Sequence, residues 1–397
     1  MALGPLLGYL FMATYSISII LFRSDSLTFA GLSPHEIVLT AILLYTIYVL
    51  SIQKKRFTLI PLDWVAIAFV FFALIPVILD VDNLYIAARD YRHLFLVPII
   101  AYLTLPFLYD NVQQLINSYL SLTVGPLIAG FSLLPEFLRT GNRPRGHNLI
   151  TLGLLTSWSV VLAFNLRKST SIFIIKSLVY ATVFLLLVIM ALSVSRGVLF
   201  AFLFSCLLSL FIFKNVIYQK IFTCTFISFL TVFFITLSIL GQPKFSPTPD
   251  YSEEYKERRR SVYRVTDVEF YIEDFNNRMS LWRKAFHIGL EKPILGKGAT
   301  WYRKLGPSTP HNIFISIFLT SGLLGTILFA LLIVVAYATI FSLGQTKNFT
   351  YLVKFLFIAL TGILIVGGTN DLSGGRYLLF FILLSGVATA KKLSLKT

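Results

Sequence analysis

Long apolar stretches follow one another along this chain almost without interruption. Most are about 17 to 25 residues, the length an α-helix needs to cross the hydrocarbon of a bilayer. They fall near 5–22, 34–52, 61–79, 93–109, 112–133, 148–166, 171–193, 196–213, 220–240, 311–342, 351–368 and 375–390. Little is left from which to build a water-facing surface. The 397 residues are 56% hydrophobic and 13% charged, about half the charged fraction of a soluble domain. The sequence therefore predicts one all-α integral membrane bundle of about twelve transmembrane helices. Length alone would suggest two or three soluble domains. The first stretch is followed by many others, so it reads as a span and not as a cleaved leader. Cys206 and Cys224 lie inside apolar runs and form neither a disulfide framework nor a metal pattern.

An even number of spans puts both termini on one side, and the lysines say which. Lys54, Lys55, Arg56, Arg167, Lys168, Lys214, Lys220, Lys347, Lys354, Lys391, Lys392 and Lys396 all border alternate loops. By the positive-inside rule that set faces the cytoplasm, both termini included. The opposite short loops hold no lysine but carry Arg23, Arg89, Arg92, Arg139, Arg143, Arg145, Arg196 and Arg376. Arginine there runs against the topology signal and needs another cause. Contact with phospholipid headgroups is one. An anion site is the other, because a guanidinium grips phosphate through two parallel hydrogen bonds and stays charged. The formal net charge of +16 suits a membrane surface and phosphate partners; nucleic acid is a poor partner for a chain buried in lipid.

The expected organisation is nine spans over 1–240, one large outer loop over 241–310 and three spans over 311–397, all in one integral bundle. The loop opens on Gly241, Pro243, Pro247 and Pro249, then runs through a charged stretch containing Arg258, Arg259 and Arg260. From Asp267 to Leu290 the apolar residues recur at helical spacing, with Arg278, Arg283 and Lys284 between them. That suits an amphipathic helix lying at the membrane interface or capping the bundle. Pro293 and the glycines of Gly296-Lys297-Gly298 end it.

Candidate chemistry gathers at the outer ends of spans. In Thr309-Pro310-His311-Asn312, Thr309 is expected to cap a helix, with Pro310 and His311 in its first turn. The dipole there disfavours imidazolium, keeps His311 in the form a general base needs, and attracts phosphate. An interfacial histidine that merely hydrogen-bonds is the plainer alternative. Ser195-Arg196-Gly197 opens another span, and an arginine at membrane depth is a functional hypothesis by default, although it can also snorkel. Arg143-Pro144-Arg145-Gly146-His147-Asn148 precedes a span on the same side, where headgroup binding is the stronger reading. Arg89, Asp90, Arg92 and His93 could join that cluster. No nucleotide-binding loop, dinucleotide fingerprint or metal-spaced cluster occurs, so neither cofactor nor metal is expected. Ionisable residues are scarce at mid-span, which argues against an ion-coupled transporter or flippase.

In their order, Ser195-Arg196-Gly197, the outer loop with Arg278, Trp282, Ala285 and Pro293-Ile294-Leu295-Gly296-Lys297-Gly298, and Pro310-His311-Asn312 ahead of Ser321-Gly322-Leu323-Leu324-Gly325 resemble the bacterial O-antigen ligase and polymerase superfamily, the ligases most closely. The likeness covers most of residues 140–345. It implies glycosyl transfer at the periplasmic face of a bacterial inner membrane, from a polysaccharide on undecaprenyl pyrophosphate to a sugar hydroxyl of lipid A–core. It implies His311 as general base and Arg196 and Arg278 as ligands of the donor pyrophosphate. It implies inversion at the anomeric carbon without a metal. Arg143, Arg145, His147, Arg89, Arg92 and Asn312 are further candidates for substrate binding. A polymerase joining lipid-linked repeats is the alternative within the class. A protein-glycosylating relative would carry an added outer C-terminal domain, which a chain ending at Lys396-Thr397 just after a span is not expected to have.

Overall fold

A computed structural model describes residues 3–21, 33–56, 58–79, 84–140, 149–169, 181–183, 185–186, 196–213, 268–298, 301, 310, 312–346, 349–369 and 376–395. Among them all regular structure is helical. The elements are α1 (Leu3–Leu21), α2 (Pro34–Ser51), α3 (Pro61–Ile78), α4 (Leu84–Tyr91), a π-helical turn (Arg92–Leu96), α5 (Val97–Thr104) ending in a 3-10 turn (Leu105–Leu108), α6 (Val112–Ser121), α7 (Val124–Thr140), α8 (Leu149–Ser169), α9 (Arg196–Phe213), α10 (Val268–Leu290), α11 (Ile313–Gly344), α12 (Thr350–Thr369) and α13 (Arg376–Ser394).

Eight stretches among the described residues are long and apolar enough to span a membrane: Leu3–Ile20, Pro34–Ser51, Pro61–Ile78, Leu84–Leu108, Val112–Ser132, Ile313–Gly344, Thr350–Gly368 and Arg376–Ser394. The sequence predicts about twelve. Of the other four, 148–166 and 196–213 coincide with α8 and α9, while 171–193 and 220–240 lie almost wholly outside the described residues.

The chain forms two compact units, Met1–Phe11 with Pro34–Ser118 and Phe275–Thr397, and Met12–Ser33 with Tyr119–Asp274. In the second, α8 packs against α7 and α9. Thr156, Ser157 and Ser159 are buried in α8 yet remain satisfied, each hydroxyl donating to a carbonyl one turn back at 2.7 Å. The Gly125 N–H donates to Ser16 Oγ at 3.1 Å, and a Cβ at Gly125 would lie 2.5 Å from the Ser16 backbone, so glycine sets how closely α7 begins beside α1.

In the first unit α3 lies along α11, α13 lies along α5, and α12 packs on both α11 and α13. Phe69, Phe95, Phe329 and Phe380 meet in its interior, with ring centroids 5.4 to 5.7 Å apart. Side-chain contacts sort the helix ends into two groups. Lys55 pairs with Asp110 (3.0 Å), Lys392 with Asp63 (2.9 Å), and Lys391 reaches Ser342 (3.4 Å). At the other end Asn312, which opens α11, meets Gly368 near the end of α12, and Gly298 lies beside Pro76 near the end of α3. Lys55, Lys391 and Lys392 thus make their contacts at the end of α2, the start of α3 and the ends of α11 and α13.

Asp63 anchors the lysine-bearing end. Pro61 opens α3 where a missing N–H is harmless, and Asp63 two residues on accepts from the Ile60 N–H (2.8 Å). Its other oxygen accepts from Tyr102 Oη (2.6 Å). The carboxylate is buried and the Lys392 side chain nearly so. Asp63→Ala should therefore remove a buried partner of the Lys392 cation and cost about 3–5 kcal/mol. We expect a lower thermal midpoint for the purified chain, and recovery of part of it when Lys392→Met is added. Simple additivity of the two losses would show that the pair is not coupled. Tyr109, also buried, shares a 2.6 Å hydrogen bond with Ser118.

Candidate functional site

The elements opposite the lysine-bearing end are organised by a break in α11. That helix runs for 32 residues, about 48 Å if straight and far more than a 30 Å hydrocarbon core requires. It is not straight. Gly322 has φ 64° and ψ −161°, a region essentially reserved for glycine. A straight helix would place residues 314 and 329 about 22 Å apart, yet the Phe314 and Phe329 rings are centred 5.9 Å apart. The chain therefore folds back at Gly322. The arm 323–344 is long enough to span alone, and 313–321 forms a short second arm. This corrects the single expected span over 311–342.

A helix break inside an apolar run frees backbone groups that apolar surroundings cannot satisfy. Here the turn after α10 satisfies them. The N–H groups of Lys297 and Gly298 donate to the carbonyls of Leu319 (2.7 Å) and Thr320 (3.0 Å), while those of Leu323 and Leu324 donate to Pro293 (2.8 Å) and Ile294 (3.4 Å). Gly296 and Gly298 have φ of 77° and 79°. A Cβ on Gly296 would come within 2.5 Å of the Gly322 nitrogen, and one on Gly322 within 2.3 Å of the Ile294 carbonyl oxygen. Trp301 closes the assembly, its indole donating to Thr320 Oγ1 (2.9 Å).

The amphipathic helix expected from Asp267 to Leu290 is α10. Its inward stripe passes through Arg278, Leu281, Trp282, Ala285, Ile288 and Gly289, while Arg283, Lys284 and His287 are exposed. Ala285 is fully buried against Leu319 and Trp301, and Phe286 stacks on Phe318 (5.5 Å, 22°). Gly289 lets the short arm approach, since a Cβ there would meet the Phe318 ring at 2.5 Å. One turn after Arg278, the Trp282 indole donates to the Pro310 carbonyl. The helix that bears Arg278 is thus tied to the residue immediately before His311.

His311 itself lies outside the described residues, as do Thr309, Arg143, Arg145 and His147. The cap is nevertheless settled. Asn312 takes the position expected of Thr309, with φ −148° and ψ 119°, and its Oδ1 accepts from the N–H groups of Phe314 (3.0 Å) and Ile315 (3.2 Å). This moves His311 from the first turn to the residue before the cap. It also removes two of the N–H groups expected to draw phosphate. Asn312 Nδ2 donates to the Gly368 carbonyl (3.0 Å), which ties the start of α11 to the end of α12. The Asn312 carboxamide is thus engaged in scaffolding at both ends.

Arg196 is the first residue of α9, as the spacing predicts. Arg89 and Arg92 stand in a charge-balanced cluster instead of a bare basic patch. Arg89 pairs with Asp90 (3.2 Å), and Arg92 faces Glu36 (4.0 Å) and reaches His93 Nε2 (3.0 Å). A guanidinium only donates, so that ring nitrogen accepts and the proton sits on Nδ1, turned toward Glu36 at 3.6 Å. In the wide π turn carrying Arg92 and His93 the Val97 N–H donates to the Arg92 carbonyl five residues back. Glu36 was not foreseen; its signal was a lone carboxylate in the first turn of a span, after Pro34 and His35.

Comparison with known proteins bears on this region. Residues 181–330 match the family model described as O-antigen ligase. No curated protein and no solved structure matches the chain. The matched segment contains Arg196, Arg278, His311, Asn312 and the whole glycine assembly, whereas Arg89, Arg92, Arg143, Arg145 and His147 precede it.

Proposed function

We propose that this chain, a member of the O-antigen ligase and polymerase family through residues 181–330, is a membrane glycosyltransferase that moves a glycan from undecaprenyl pyrophosphate to a sugar hydroxyl of lipid A–core. Both termini face the cytoplasm and the reaction takes place at the periplasmic face of the inner membrane. His311 removes the proton of the acceptor hydroxyl as that oxygen attacks the anomeric carbon. The bond to the pyrophosphate oxygen breaks in the same displacement, which inverts the configuration. Arg278 and Arg196 bind the pyrophosphate and stabilise the charge it gains on leaving. The donor is already activated, so nucleotide and metal are both dispensable. Arg89 and Arg92, each facing a carboxylate, suit sugar hydroxyls better than an unshared phosphate charge. Arg143, Arg145 and His147 are proposed as contacts to anionic groups of substrate or lipid.

The observation that carries this reading is the hydrogen bond from Trp282 to Pro310, which joins the arginine-bearing face of α10 to the segment containing His311. A base and a leaving-group ligand on neighbouring, mutually braced elements are what a single displacement on a lipid diphosphate requires.

The test is a deletion strain examined for its surface polysaccharide. The ligase reading expects uncapped lipid A–core while long lipid-linked chains accumulate. Core capped by a single repeat would mean that the enzyme is the polymerase. Transfer by the purified chain should also persist in EDTA. A loss that added divalent metal reverses would overturn the metal-free mechanism.

A further inference from the structure

We infer that Gly296, Gly298 and Gly322 form a positioning device for the transfer reaction, holding the fold-back of α11 and thereby the placement of the Pro310–Asn312 segment and of the α10 face that bears Arg278. The inference rests on the proposed role of His311.

Three observations lead to it. All the positive-φ glycines among the described residues are these three, and they meet at one point of the fold. The close approaches at Gly296 and Gly322 are backbone against backbone, so no side-chain movement can make room for a methyl group. The backbone bonds on either side of Gly322 are made by the turn and not by the helix itself. The fold-back therefore depends on the turn being docked. That turn is continuous with α10, so one assembly fixes both the arginine-bearing helix and the short arm that starts at Asn312. Left to its intrinsic preference, the apolar run 313–344 would form one continuous helix and carry its start away from α12. The Asn312 bond to the Gly368 carbonyl (3.0 Å) and the Trp282 bond to Pro310 secure the folded-back arm at its far end.

The test uses the full chain in lipid nanodiscs, with Cys206 and Cys224 replaced by alanine and spin labels at positions 314 and 334, both exposed. In the parent the label separation should be narrow and well short of the roughly 30 Å of a continuous helix. Gly296→Ala and Gly322→Ala should lengthen or broaden it. The same variants should lower kcat by about 100-fold, the scale of a small misplacement of reacting groups, with the donor KM nearly unchanged. General loss of folded protein would scale the active fraction and broaden every distance. A second labelled pair along the arm 323–344, at 327 and 341, should stay as in the parent. If an alanine variant fails to insert, the pair Gly298→Asn and Gly298→Val decides. Asparagine tolerates the left-handed backbone and should keep both distance and rate, while valine should lose both. An unchanged distance, or a broadened one with the parent kcat, overturns the inference. His311→Ala assayed in parallel separates the two claims. Normal transfer there removes the functional reading, whereas loss there with parent rates in the glycine variants removes only the positioning role.

Discussion

His311→Ala should abolish measurable glycan transfer while the protein still inserts and folds, lowering kcat by about 10²- to 10⁴-fold, the usual contribution of a positioned base. The acceptor hydroxyl must lose its proton as it attacks, and no other group in the Pro310–Asn312 segment can take one. His311→Gln should fall as far, because a carboxamide keeps a hydrogen bond but cannot accept the proton at neutral pH. The donor KM should change little in both, since the imidazole is not assigned to the pyrophosphate. Asn312→Ala makes the contrast. Its carboxamide caps α11 and reaches Gly368, so its loss should cost about 0.5–2 kcal/mol of stability and lower the yield of folded protein. A normal rate in His311→Ala, measured on purified and folded protein, would remove His311 from the chemistry.

How far the sequence discloses this arrangement differs from element to element. Spans such as Pro61–Ile78 and Thr350–Gly368 are legible because hydropathy alone specifies a crossing helix. Within α10 the helical spacing of the apolar residues is legible, whereas the division of Arg278, on the inward stripe, from exposed Arg283 and Lys284 comes from the packing. The fold-back at Gly322 is different. Ile313–Gly344 is uniformly apolar, so periodicity carries no sign of a reversal, and the conformation of Gly322 is imposed by a turn some 25 residues earlier in the chain. A clue remains in its length, since 32 residues exceed what one crossing needs. The cap was misassigned because both Thr309 and Asn312 are good capping residues; only the tie to Gly368 distinguishes them. The Asp63–Lys392 pair links positions more than three hundred residues apart, and a single sequence holds no trace of such pairing.

Arg278→Lys should be damaging even though the charge survives, about tenfold less so than complete loss of the side chain. The departing pyrophosphate gains negative charge on oxygens that a guanidinium meets with two parallel N–H donors, whereas an ammonium presents a point charge with no fixed fork. Losing one charge-assisted hydrogen bond of about 1.5–3 kcal/mol lowers the rate about 10- to 100-fold, and Arg278→Ala should reach about 10²- to 10³-fold. Arg196→Lys should behave in the same way. Arg283, exposed on the outward side of the same helix, is the control: it lies five residues along but across the helix, and its replacement by lysine should leave transfer unchanged. The reading separates further on product binding. If Arg278 holds the pyrophosphate, inhibition by added undecaprenyl pyrophosphate must weaken in Arg278→Lys along with the rate. If Arg278 only anchors α10 to headgroups, the rate would follow the lipid composition of the nanodisc, and product inhibition would stay at the parent level. The inward stripe of α10 runs from Arg278 through Trp282 to Ala285, packed against Leu319, so the Arg278 side chain is carried on a braced helix that the Trp282 bond to the Pro310 carbonyl ties to the segment entering α11.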